Sequence, residues 1–207
     1  MAKRAYTSTV RAVAARETRA AILRAAMELY AEQGYARATV AGIAERAGVA
    51  LNTVYTSVGG KAALLEALVD EGVEDEQIQV TLTAVLAARD AREILRMTAE
   101  GTGELTRRHE AVLNLVFDNV MADPAVAAAA ERAVARYRGR LDRTADHLVA
   151  LGAVRTDRDR TGQILWFYFG RGAWQTVREL GWDWDEGAAW LAGAAAAALL
   201  PAQVLPG

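Results

Sequence analysis

Helix breakers are almost missing from this chain. Three prolines, Pro124, Pro201 and Pro206, interrupt 207 residues, and alanine, the strongest helix former, fills much of the remainder. No sustained run of alternating β-branched residues bounded by turns is found, so strand signals are scarce. Apolar residues recur instead at spacings of three and four. The expectation is an all-α chain of about nine helices, near 17–33, 40–47, 50–56, 62–87, 90–107, 110–121, 125–151, 158–180 and 184–200. Local punctuation agrees. Gly34, Gly152 and Gly181 follow helix ends, and Thr39 can offer its hydroxyl to a free backbone N–H. Pro124 suits a first turn, Asp183 with Glu186 resembles a capping box, and Pro201 ends the last helix.

Composition excludes several classes of function. The chain has no cysteine, which rules out disulfides, thiolate nucleophiles and cysteine metal sites and fits a reducing cytoplasm. Ala2 to Arg19 lacks the apolar core of a signal peptide. The longest apolar stretch, Ala188 to Leu200, is shorter than the roughly 20 residues a membrane span needs. His109 and His147 lie far apart with no neighbouring ligands, so no metal, no cofactor and no catalytic residue is expected. Gly101-Thr-Gly103 and Gly170-Arg-Gly172 lack the strand that precedes a phosphate loop. Charge is unevenly spread. Residues 1–61 hold nine Lys/Arg and four acids, a local +5, against −7 on the remainder and −2 in all. A basic head on an acidic body suits presentation of one end to a polyanion, although chance asymmetry of solvated surfaces explains it as well.

The most informative segment is Val40-Ala-Gly-Ile-Ala-Glu-Arg-Ala-Gly-Val-Ala-Leu-Asn-Thr-Val-Tyr55. Two short helices that cross steeply need particular residues. Ala44 is small enough for the second helix to approach, and Gly48 can take the positive φ of a tight turn. Ile43, Ala47, Val49 and Val54 form an apolar seam, while Glu45, Arg46, Asn52 and Thr53 stay outside. An ordinary αα-hairpin of a bundle is the competing reading.

These residues closely resemble the TetR family of bacterial regulators. The resemblance runs from Thr18-Arg-Ala-Ala-Ile-Leu through Glu32-Gln-Gly-Tyr35, Thr39-Val40, Ile43 to Val49 and Thr53-Val-Tyr55 to Lys61-Ala-Ala-Leu-Leu65, about the first third of the chain. Residues 1–15 read as a flexible basic arm, and the resemblance implies a helix-turn-helix DNA-binding domain over 16–61 and a ligand-binding and dimerisation domain over 62–207. It implies a double-stranded DNA operator and a small-molecule effector as partners. By the same resemblance Thr39, Tyr55 and Lys61 are phosphate contacts and Ala50, Leu51, Asn52 and Thr53 face the bases. The sequence departs from the family at Ala50, where Ser is frequent, at Leu51, where a basic residue is frequent, and at Ser57-Val58 in place of His-Phe. A missing cap costs about 0.5–2 kcal/mol locally. No Arg stands in the recognition helix to read guanine. The departures motivate an alternative function, a small-molecule binding protein with weakened or lost DNA binding. An enzyme on a helical bundle is a third class, which the lack of a catalytic constellation disfavours.

Aromatic residues cluster late in the chain, and core, dimer seam and pocket compete for them. On a single helix over 158–180, Ile164, Phe167, Tyr168, Arg171 and Gln175 share one face and Trp166, Gly170, Ala173 and Val177 another. The first face is assigned to a ligand pocket, with Met97, His109, Phe117 and Met121 on its opposite wall. The second is assigned to a homodimer, together with Ala188, Leu191 and Ala195. Arg171 favours an acidic group on the ligand, and a salt bridge to Asp118 accounts for it equally well.

Overall fold

A computed structural model of the chain describes residues 2–73, 76–121 and 123–201, with side chains from Arg11 onward apart from 72 and 73. Eleven helices occupy the described residues, and no strand is found among them. They are α1 (Ala2–Gln33), α2 (Val40–Ala47), α3 (Leu51–Ser57), α4 (Lys61–Val73), α5 (Glu76–Ala87), α6 (Ala91–Arg108), α7 (Glu110–Asn119), α8 (Pro124–Ala150), α9 (Arg158–Phe169), α10 (Arg171–Glu179) and α11 (Trp184–Leu199). The expected punctuation is in place. Asp183 accepts from the Glu186 N–H at 2.7 Å, Gly34, Gly152 and Gly181 take positive φ, and α8 begins at Pro124.

Three features differ from the sequence expectation. The helix expected at 62–87 is found as α4 and α5, and residues 74–75 between them lie outside the described residues. The arm expected over 1–15 has helical backbone from Ala2, because neither proline nor glycine occurs before Gly34 to stop the helix. Residues 11–17 are all exposed, and burial begins in earnest at Ile22. The helix expected over 158–180 is broken at Gly170, whose φ of −73° and ψ of 166° turn the chain. Phe169 and Trp174 stand about 140° apart on a straight helix, yet both are fully buried. The break brings both into one core. A Cβ at residue 170 would lie 2.4 Å from the Trp166 carbonyl oxygen, so only glycine fits.

The chain divides into two compact units, residues 1–72 with 111–133 and residues 73–110 with 134–207. Leu64, Leu65 and Leu68 of α4 are buried, and the start of α4 is tied to α1 by a bond from the Tyr30 hydroxyl to the Lys61 carbonyl at 3.4 Å. The first unit buries Ile22, Leu23, Tyr30, Ile43 and Val54. In the second, α11 packs against α6, α9 and α10, and the core joins Ile94, Leu95, Leu148, Leu165, Phe169, Trp174, Leu191 and Leu199.

Close approach within the second unit rests on Gly103, where a Cβ would meet the buried Trp174 ring at 2.6 Å. Gly103→Ala is expected to destabilise by about 1–3 kcal/mol through overpacking. Gly139→Ala, on an exposed site of α8 with no atom within 4 Å, is expected to stabilise by about 0.5–1 kcal/mol. Urea unfolding of the two variants checks the contrast. Equal effects would mean that the Trp174 contact does not hold α6 in place.

Candidate functional site

The head is built from local rules. Thr39 has extended backbone at the N-cap of α2, and its hydroxyl oxygen accepts the Gly42 N–H at 3.1 Å. At the other end Gly48 takes φ 67° and ψ 30°. Its N–H donates to the Glu45 carbonyl at 3.1 Å and the Val49 N–H to the Ala44 carbonyl at 3.0 Å, the paired closure that ends helices on a left-handed residue. The chain then enters α3, whose Val54 is fully buried while Leu51 is 45% and Tyr55 51% exposed. Asn52 is exposed and Thr53 half-buried. The Tyr55 hydroxyl has no hydrogen-bond partner among the described residues. Ala50 caps α3 with extended backbone (φ −67°, ψ 147°) but gives no side-chain bond.

Two further contacts brace this pair of helices. Arg46 of α2 forks onto both Glu32 carboxylate oxygens of α1, and Arg19 donates to the Ser57 carbonyl at 3.2 Å. Lys61 has a role that the sequence did not reveal. Its ammonium donates to the Ala36 carbonyl at 2.9 Å and lies 4.4 Å above the Tyr35 ring. The Tyr35 hydroxyl in turn donates to Asp123 at 2.9 Å. Burial lowers the Lys61 pKa, and the Asp123 charge partly opposes this. Backbone donation from Ala125, and then the Tyr35 bond, hold the Asp123 carboxyl below its usual range. Lys61 thus anchors the loop that carries Thr39.

The second unit contains a cavity of about 520 Å³ between α5, α6 and α8, within the range usual for small-molecule sites. Ile78, Leu82, Val85, Met97, Leu105 and Leu141 supply apolar wall, and Thr98, Thr102, Tyr137, Arg140 and Thr144 supply polar atoms. Thr98 bonds the Ile94 carbonyl, Thr102 those of Thr98 and Ala99, and Tyr137 that of Phe169.

Of the expected pocket residues, Met97 alone lines this cavity. Met121 is 96% and Phe167 72% exposed, the latter ring resting edge-on against Tyr168 at 5.1 Å. Ile164 and Tyr168 pack on the core of the second unit. Arg171 donates to Gln175 at 3.1 Å, and Gln175 to Glu179. His109 caps α6, and Phe117 is half-buried in the first unit. The break at Gly170 removes the single face that joined Ile164 to Gln175. Of the residues expected at the dimer seam, Val177, Ala188, Leu191 and Ala195 are buried in the chain's own core. Gly170 is buried and Ala173 half-buried. Trp166 is covered by Tyr137 at 5.9 Å and by Arg138. The outward face of α11 is instead Ala189, Trp190, Gly193 and Ala197. Sequence reasoning missed Tyr137, Arg140, Leu141 and Thr144. Their spacing of three and four on α8 marks one face, although an Arg on it reads as a solvated edge. Among the described residues no group of three or more His, Asp or Glu is placed to hold a metal, and no helix is long and apolar enough to cross a membrane.

Residues 22–68 match the family model of bacterial regulatory proteins, tetR family. The transcriptional regulator TtgR of Pseudomonas putida is 46% identical over 56 residues, 27% of this chain and 27% of that protein. The chain thus matches about a quarter of the length of this curated relative. Two solved structures share the fold along most of the chain. The SmeT–triclosan complex superposes with a TM-score of 0.74 at 20% identity, covering 92% of this chain and 95% of the other. FadR from Bacillus subtilis in complex with stearoyl-CoA gives 0.69 at 19% identity, covering 84% and 96%.

The uncapped start of α3 yields a prediction. The backbone of residue 50 already has N-cap geometry, so Ala50→Ser is expected to stabilise α3 by about 0.5–2 kcal/mol. Amide hydrogen exchange at residues 52–54 should slow. Unchanged exchange would mean that the cap is not what limits this helix.

Proposed function

Because the chain belongs to the TetR family of bacterial regulatory proteins, we propose that this transcriptional regulator is a ligand-responsive repressor. It acts in the cytoplasm as a homodimer on a palindromic operator and is released by a small-molecule inducer. The observation that carries the reading is the α2–α3 pair, closed at Gly48, with the outer side of α3 exposed at Leu51, Asn52 and Tyr55. Thr39 and Tyr55 contact phosphate, the residues Ala50 to Thr53 meet base edges, and Lys61 positions the Thr39 loop besides adding positive charge. The effector occupies the cavity between α5, α6 and α8. Two proteins of the same fold were solved with triclosan and with stearoyl-CoA, which supports a small-molecule role for that cavity. An effector releases DNA only if it binds the DNA-incompetent state more tightly.

A second reading, a ligand-binding protein with weakened DNA affinity, is favoured by the uncapped Ala50 and by Leu51 in an exposed position. A mobility shift with DNA from beside the coding region, repeated across salt concentrations, separates the two. The repressor reading predicts a shifted band that weakens steeply with salt. Binding no tighter than to unrelated DNA supports the second.

Tyr55→Phe is expected to weaken binding to every DNA sequence alike, since a phosphate contact positions without specifying. A changed operator preference in that variant would contradict the assignment. The dimer is placed on the outward face of α11. A Cβ at residue 193 would meet no atom within 4 Å and the position is exposed, so Gly193→Glu is expected to keep the fold and give monomers in sedimentation velocity. A persisting dimer would remove α11 from the interface.

A further inference from the structure

The cavity between α5, α6 and α8 has a polar chemistry narrower than its lining suggests. Three acids stand on its α6 wall, Glu93, Glu100 and Glu104, each with a side chain more than a third exposed. Each is engaged by an arginine of the same helix. Arg96 holds Glu93 and Glu100, and Arg107 and Arg108 hold Glu104. That rim is solvated and internally neutralised.

Four further polar groups on the wall, on α6 and α8, have their protons directed elsewhere. Thr98, Thr102 and Thr144 donate to carbonyls of their own helices, and Tyr137 donates to the Phe169 carbonyl. A ligand beside these four groups meets methyl groups and oxygen lone pairs. Arg140 adds a cation to this wall. It is half-buried, lines the cavity, and shares one face of α8 with Tyr137, Leu141 and Thr144. Burial is the larger cause that lowers its pKa, and the neighbouring guanidinium of Arg136 adds to it. Both effects disfavour the cation, Tyr137 opposes them, and a ligand carboxylate added to the contacts that Arg140 already makes opposes them further. A guanidinium also presents a fork of N–H donors that matches a carboxylate.

We propose that the cavity takes an amphipathic monoanion, an apolar body ending in a carboxylate, seated with that carboxylate on Arg140. The apolar body lies along Ile78, Leu82, Val85, Met97 and Leu141, and the carboxylate stabilises the half-buried cation. The inference rests on the reading of this cavity as the effector site and adds the ligand's charge and shape to it.

Isothermal titration calorimetry on the full chain without DNA tests it with three probes of similar chain length: decanoate, methyl decanoate and decylammonium. Wild type is expected to bind decanoate roughly tenfold or more tighter than either of the others, the scale of a charge-assisted hydrogen bond. Arg140→Leu should lower decanoate affinity to that of the ester and leave the ester unchanged. Arg171→Leu, outside the cavity, should change neither. Arg140→Lys keeps a cation and should retain part of the preference, which preserves the test if the leucine variant does not fold. Equal binding of the three probes, no binding of decanoate, tighter binding of decylammonium, or a preference for decanoate that survives in Arg140→Leu would each overturn the proposal. Operator release is scored separately. Decanoate that binds with these preferences but leaves DNA bound keeps the ligand class and contradicts the regulatory reading.

Discussion

The placement of α3 depends on one backbone conformation. After Ala47 the chain has to reverse out of α2 within a residue and enter α3 at a steep angle. Gly48 does this at φ 67°. A Cβ there would meet no atom within 4 Å, so the restriction is purely torsional. The left-handed region disfavours L side chains by about 1–2 kcal/mol whatever the space around them. The bonds from Gly48 and Val49 back to Glu45 and Ala44 exist only in that conformation. With the turn set, Val54 falls into the core of the first unit and Leu51, Asn52 and Tyr55 face outward. The chemistry available to DNA follows from that geometry.

The second unit is organised by close helix contact of another kind. Small residues, Ala99 and Gly103 on α6 and Ala188, Ala192, Ala195 and Ala196 on α11, are buried together with Trp174. The Trp174 indole reaches Thr102 with a 3.3 Å hydrogen bond, so its polar edge is satisfied where its ring is enclosed. The same stretch of α6 turns Met97, Gly101 and Leu105 toward the cavity. One helix therefore serves the core and the candidate ligand site on adjacent faces.

The head, and helix ends elsewhere, were legible because each such position has a local cause. Gly48, Thr39, Asp183 and Pro124 act through backbone torsion or a single capping bond, and all were placed correctly from residue type and spacing. The cavity and the outward face of α11 were not legible, for physical reasons. A helix such as α11, apolar nearly all round, carries no pattern that tells its buried face from its exposed one. Ala188, Leu191 and Ala195 go inward and Trp190 and Gly193 outward because of what packs on them. The break at Gly170 is a conformation that a side chain would not allow, since a Cβ there would lie 2.4 Å from the Trp166 carbonyl oxygen. Once it is made, the helical phase that joined Phe167 to Arg171 no longer holds. The shared face of an unbroken helix made Phe167 look like a pocket residue, yet it sits on the surface against Tyr168.

One chain carries a helix set by a glycine turn, proposed here to read DNA, and a cavity with a half-buried arginine on its wall. The α3 sequence carries no formal charge, so its contacts are hydroxyl, amide and apolar. A dimer with two such helices demands a particular spacing on the duplex. Hydroxyl-radical footprinting of the purified chain on DNA from beside its coding region tests this most directly. The account predicts two protected half-sites related by a two-fold axis and centred about 10 base pairs, or a small multiple of that, apart. Uniform weak protection along the fragment, or a single unpaired footprint, would contradict it.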